Sequence, residues 1–367
     1  MWTVAVEPTT ARVGAQRPAA EREHASDAPE KHMPERRAFT LADLAFALAT
    51  CAIAAALVIA ASADLRKQRQ LASAQSNLRW IAGITSSYAA DFDDRLWGFS
   101  WQAGILPDST PGLPTIAATG KAAIRTQMLD ILWRRGRPDM TVSSVLYAGA
   151  FYSHLPLLDY LDRDAPDLAF VSPGDKHRLN WTKNPQELHD TGFWLPYQEE
   201  PTPDNRRWPY SASFLTPAHM ISQPVSGPDA IHHHGGFHSG HTVPDGAEFR
   251  GVQLSSVAFP AQKVMLYESA SWHFGDTVRY FADERAKVLT LSVDGAVRAL
   301  ATADTNRGWI PAQPAFGAAT RFRYQPRLWE GPPPAAGEDL MYGHYRFTRG
   351  GPAGRDFGGP EIDTGQF

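Results

Sequence analysis

The sequence predicts an α+β chain in which a long N-terminal helix, first transmembrane and then a stalk, packs on a small antiparallel β-sheet head with long loops. Three observations carry that expectation. An apolar run from Phe39 to Ala63 is interrupted by one charged side chain, Asp43. No Gly or Pro occurs between residues 39 and 82. Farther on, VLTLSVDGAVRALAT, which begins at Val288, alternates on either side of Asp294-Gly295, the preferred chemistry of a tight two-residue hairpin turn.

Residues 1–38 hold six basic and six acidic side chains among scattered Pro, Ala and Glu. They cannot bury enough surface to fold and are expected to form a disordered leader. Residues 39–63 are expected to form a transmembrane helix, since 25 residues at about 1.5 Å each exceed a hydrocarbon core of about 30 Å. A buried core helix rarely runs so long without a polar face. A cleaved secretory signal is a rival reading, with Ala61-Ser62-Ala63 as its small residues, although its apolar region would be unusually long. Charge does not orient the span, because Lys31, Arg36 and Arg37 on one side are balanced by Arg66, Lys67 and Arg69 on the other.

Beyond the apolar run, Leu71, Leu78, Ile81 and Tyr88, with Ala74, Ala82 and Ala89 between them, mark one helical face. Residues 64–95 therefore read as an amphipathic stalk, its helix ending near Asp91. The whole helix would be a rod of roughly 80 Å. Residues 96–310 read as a globular α+β head. KVMLYESA from Lys263 is a strand, and aromatic, Pro-rich stretches such as DNRRWPYSASFLTPAHM are long ordered loops. Residues 311–367, with EGPPPAAGEDL and TRGGPAGRDFGGPE, read as a loose Gly/Pro-rich tail with a short structured piece at Met341 to Phe347. No internal repeat is visible.

Composition removes some classes of function. With 367 residues and 43% hydrophobic content, the chain can build a sizeable core. A net charge of -4 supplies no basic stripe for nucleic acid. Cys51, the single cysteine, lies inside the apolar run, so an intramolecular disulfide is impossible.

RRAFTLADLAFAL, from Arg36, resembles the N-terminal signature of type IV pilin-like proteins and type II secretion pseudopilins, the prepilin-type cleavage/methylation segment. In that pattern a basic leader ends at a small residue, Phe opens the mature chain, and an acidic residue sits fifth. Ala38, Phe39 and Asp43 fall on those places, where the family usually has Gly, Phe and Glu. SAQSNLRWIAGITSSYAADFDDR from Ser73, LLDYLDRDAPDLAFVSPGDK from Leu157 and AKVLTLSVDGAVRAL from Ala286 are similar to segments of large pseudopilin-like families of planctomycetes and verrucomicrobia. The similarity covers the helix well and the rest in patches. Two cysteines common in those relatives are replaced by Ala74 and Ser172. The resemblance implies cleavage between Ala38 and Phe39 by a prepilin peptidase. It also implies a single-pass inner-membrane protein with its head in the periplasm or cell exterior, whose partners are other pilin-like subunits. Asp43 would then meet the free amino terminus of a neighbouring subunit. The plainer reading is that Asp43 caps the helix start or snorkels to the headgroups.

Candidate chemistry is sparse. IHHHGGFHSGH places His232, His233, His234, His238 and His241 within ten residues, enough to bind zinc or nickel, but without the helical spacing of a metalloprotease motif. A solvated loop is the expectation, with a metal site as the weaker alternative and a substrate contact as the weakest. GFHSG has the wrong offset for a nucleophile elbow. DFDDR at Asp91 to Arg95 lacks the ligand spacing of a calcium loop and reads as a solvated helix end, and SPGDKHR is no phosphate-binding loop. The expectation is an assembly subunit rather than an enzyme, with no cofactor. The alternative is a membrane-anchored periplasmic binding module or metal-dependent hydrolase that uses the histidine loop.

Overall fold

The computed structural model describes residues 40–138, 140, 151–186, 193–194, 197–198, 205–235, 238–313, 318–327, 329–333 and 340–362. The leader, residues 1–38, and the Ala38-Phe39 bond lie outside the described residues. The chain divides into two units, Met1–Val58 and Ile59–Phe367.

In the first unit, helix α1 (Leu41–Asp91) begins. Its stretch Leu41–Val58 is long and apolar enough to cross a membrane, and none of it is buried. Leu41, Phe46, Leu48, Ile53, Leu57 and Val58 are all exposed. Here the apolar side chains surround the helix instead of forming a stripe, which is the pattern of a helix solvated by hydrocarbon on all sides.

The second unit contains the rest of α1. There Ala74, Leu78 and Ile81 are fully buried, at the helical spacing read from the sequence, in a cluster with Leu96, Trp97, Phe214, Leu289 and Leu291. The helix stops at DFDDR. Asp93 and Asp94 adopt left-handed φ of 51° and 59°. The Asp94 amide donates to the Ala89 carbonyl at 2.8 Å, satisfying one of the carbonyls a helix end leaves open. The Asp94 carboxylate also accepts from the Ser255 amide at 2.7 Å, and Asp91 accepts from the Tyr160 hydroxyl at 2.6 Å. These acidic residues are ties between segments, where a purely solvated helix end was expected.

Short pairings precede the main sheet: β1 (Gly104–Ile105) with β2 (Ile116–Ala117), and β3 (Phe193–Trp194) with β4 (Tyr197–Gln198). Helix α2 (Gly120–Arg134) starts at Thr119, whose hydroxyl accepts from the Ala122 amide, and buries Ile124, Met128, Leu129 and Leu132. Arg134 at its end and the C-cap residue Arg135 both bind Asp159 on α3 (Leu155–Tyr160), at 2.5 and 2.8 Å. Helix α4 (Lys176–Lys183) is capped by Asp175, which accepts from the Arg178 amide.

The main sheet has four antiparallel strands in the order β10-β9-β8-β5: β5 (Phe214–Leu215), β8 (Val264–Glu268), β9 (Lys287–Ser292) and β10 (Val297–Ala301). Alternation along β9 sends Leu289 and Leu291 into the cluster that receives α1. Val288 goes into a second cluster with Val264, Tyr267 and Phe281. The β9–β10 hairpin falls where Asp294-Gly295 places it, but its loop is one residue longer than the predicted two-residue turn. Val297 pairs with Leu291, and the Ser292 amide donates to the Ala296 carbonyl, leaving 293–295 as the loop. Gly295 takes the left-handed φ of 81° that a three-residue hairpin loop requires.

The remaining pairs are β6 (His232–His233) with β7 (His241–Thr242), and β11 (Arg321–Arg323) with β12 (Leu340–Tyr342). The latter corrects the expectation of a loose tail from residue 311. Phe322, Tyr324, Met341 and Tyr345 are buried in the second cluster, and Phe347 in the first. Gly and Pro there set the turns, while the aromatic residues between them supply apolar area at about 25 cal/mol per Å² buried.

Candidate functional site

Two places carry the residues singled out by the sequence. The first is the start of α1. The Thr40 amide and hydroxyl donate to the Asp43 carboxylate at 3.0 and 2.6 Å, and the Asp43 amide donates back to the Thr40 hydroxyl at 3.2 Å. This reciprocal arrangement satisfies amides that the first helical turn cannot bond internally. It leaves Asp43 exposed on the first turn of an apolar segment. Ala38 and Phe39 precede the described residues.

The second place is the histidine segment. Three of its residues, with Thr242, form the hairpin register His232↔Thr242 and His233↔His241. The expected solvated loop is corrected here, because His238 and His241 are buried, at 3% and 4% exposure, and His232, His233 and His234 are partly buried. Arg346, itself 1% exposed, packs against the buried end of this segment. Its guanidinium donates to the carbonyls of His238 and Gly240 at 2.6 and 2.9 Å and to His241 Nε2 at 3.1 Å. His238 Nε2 lies 2.9 Å from Glu330 Oε2, and its ring meets Tyr280 and Tyr324 edge-on.

The electrostatics follow from that arrangement. Burial, and then the Arg346 charge, hold His241 well below the ordinary histidine value. The same two causes bring His233 down to about 3. Burial pushes the Glu330 carboxyl up, but His238 beside it, together with the Arg327 amide and charge, outweighs that and leaves the group below its usual range. A fixed guanidinium therefore lies against the His241 ring and uses its lone pair, while the His238 ring is occupied by Glu330. This is the geometry of a clamp between β6–β7 and the segment after β12, and a cation in that place opposes a metal ion. Among the described residues, no group of three or more His, Cys, Asp or Glu is arranged to hold a metal.

One constellation escaped the sequence reading. Ser172, Glu268 and His273 meet in the interior, with Ser172 Oγ 2.7 Å from Glu268 Oε1 and 3.1 Å from His273 Nε2. His273 Nε2 is also 3.0 Å from Glu268 Oε1. These are the residue types of a nucleophilic triad in the wrong order. The carboxylate sits on the nitrogen that would take the serine proton, where a working triad has it on the opposite nitrogen. The His273 and Glu268 side chains are 0% exposed. The cluster ties Ser172 to β8, and the Leu289 amide completes it by donating to Glu268 Oε2 at 3.2 Å. No local motif announces it, because Ser172 lies 96 and 101 positions before Glu268 and His273.

An open cleft of about 270 Å³ lies beside the start of α2, with Trp101, Gln102, Asp245, Glu248 and Arg250 among its walls. It brings together none of the residues singled out in the sequence. No protein-family model, curated protein or solved structure matches the chain.

Proposed function

We propose that the chain is a pseudopilin-like structural subunit of a type II secretion or type IV pilus-like system. In this reading a prepilin peptidase cuts between Ala38 and Phe39, and Leu41–Val58 anchors the chain in the inner membrane. The stalk half of α1 carries an α+β head in the periplasm or cell exterior, and the work is assembly rather than catalysis.

The observation that supports this most is a single carboxylate, Asp43, exposed on the first turn of an exposed apolar helix of membrane length. A lone charge in that setting costs up to about 3 kcal/mol at the bilayer centre and less near the interface. Its hydrogen bonds to Thr40 offset part of that cost within the subunit, and the amino group of Phe39 in a neighbour would supply an opposite charge. The carboxylate then sets the register of helices side by side.

Crosslinking of membrane-inserted subunits in cells tests this reading. Asp43→Ala leaves insertion intact but strands the neighbour's ammonium, a loss of about 3–5 kcal/mol for a buried pair, so crosslinks should collapse. Asp43→Glu should preserve them. Cleavage is followed separately, and full crosslinking in a normally cleaved Ala variant would return Asp43 to the role of a helix cap alone.

A further inference from the structure

Lys263 immediately precedes β8, and Asp356 lies 93 positions later, in the segment that follows β12. Both side chains are 0% exposed. Their contact is a poor ion pair. Nζ stands 3.5 Å from Asp356 Oδ1, whereas a charge-assisted bond closes to about 2.8 Å. The best bond of the Lys263 amine goes instead to the Gly351 carbonyl at 2.7 Å, and Asp356 Oδ2 is taken by the Val264 amide at 2.7 Å. Oδ1 is hydrogen-bonded with the Thr348 hydroxyl, which in turn lies 3.3 Å from His219 Nε2. A cavity of about 10 Å³, lined in part by His219, Thr348 and Trp309, adjoins this chain of groups. It is close to the room that one water needs.

Two full charges in this interior would be expensive, and both groups lean away from charge. Burial brings the Lys263 amine down to about 8 against the pull of Asp356. Burial likewise raises the Asp356 carboxyl, against Lys263 and its hydrogen-bond donors. A buried amine beside a buried carboxyl group, held together and out of bulk water, becomes the reactant pair of amide formation once a proton passes from nitrogen to oxygen.

We propose that Lys263 and Asp356 condense after folding into an intramolecular amide cross-link that fastens the C-terminal segment to the central sheet. The Nζ lone pair attacks Asp356 Cγ, and the developing charge on Oδ2 is held by the Val264 N–H. His219, kept neutral by burial, takes a proton from nitrogen through Thr348. The same relay returns a proton to Oδ1, which leaves as water. The Nζ–Cγ bond forms and the Cγ–Oδ1 bond breaks. One amine hydrogen and the acid hydroxyl depart together, and no oxidant or reductant is needed. In a chain whose single cysteine lies in the apolar span, the cross-link supplies the covalent tie that a disulfide cannot.

Tryptic mass spectrometry of the full chain, purified in detergent from its own membranes, tests this. The expected species is one branched peptide in which residues 251–279, uncut after Lys263, are joined to residues 356–367 and are one water lighter than the sum of the two. Lys263→Arg should abolish it. Asp356→Asn should yield the same branched mass with loss of ammonia instead of water. Thr348→Val should lower the linked fraction. Recovery of Lys263-cleaved peptides and an unmodified 356–367 peptide as the sole products from the unaltered chain would overturn the proposal, and that result requires no variant to fold.

Discussion

The two ends of α1 are built from the same apolar residue types and meet opposite fates. From Leu41 to Val58 the side chains are exposed on every side. From Leu71 to Ala89 the apolar residues are confined to a stripe, and Ala74, Leu78 and Ile81 are fully buried. The difference lies in pattern, not in hydrophobicity. Where the polar face is missing, no protein partner covers the helix within the described residues, and lipid is the solvent that fits. Where Arg69, Gln75 and Arg79 interrupt the apolar sequence, a 3.6-residue period appears and a protein core takes the stripe.

The sharpest way to break that contrast is to truncate one leucine at each end. Leu78→Ala removes a fully buried side chain and should lower the stability of the second unit by about 2–5 kcal/mol in thermal unfolding of the detergent-solubilised chain. Leu48→Ala, in the exposed run, should leave that transition within about 0.5 kcal/mol. Equal effects would mean that the exposed run has a protein partner.

A similar contrast operates inside the histidine segment. His241→Ser takes away one of the acceptors of the buried Arg346 and should cost about 1–3 kcal/mol in the same measurement. His234→Ser, at a partly exposed ring, should stay within about 0.5 kcal/mol. If both are neutral, the clamp contributes nothing to stability.

The buried histidines also set a pH window. Burial lowers His154 to about 3 and His344 to about 4, so the folded chain keeps them neutral while the unfolded chain protonates near 6.5. The unfolded state then binds more protons below that value. Stability should be complete above about pH 6.5 and fall toward pH 4, by at most about 1.4 kcal/mol per pH unit for each such residue. Unfolding at pH 7.5 and pH 5 measures this, and a transition unchanged at pH 5 would show that these rings are reached by solvent.

What the sequence made legible was what has a short period. The Leu71–Tyr88 stripe, strand β8 and the β9–β10 hairpin all repeat within a few residues, and a cap at the helix start was one of the two roles read for Asp43, though its partner Thr40 was not read. The segment after residue 311 has no period. Its Gly and Pro residues dominate local composition, while Phe322, Tyr324 and Tyr345 reach their core one at a time. Arg346 was invisible for the same reason, since its partners lie 105 to 108 positions upstream. Five histidines in ten residues drew attention to metal chemistry, yet an arginine supplied from a distant segment decides what they do.

N-terminal sequencing of the chain isolated from native membranes tests the central claim most directly. A pseudopilin-like subunit should yield Phe39 as its first residue, with the sequence Phe-Thr-Leu-Ala-Asp. A chain that still begins at Met1 would contradict the account. So would one that begins just after Ala63, with the apolar helix removed as a secretory signal.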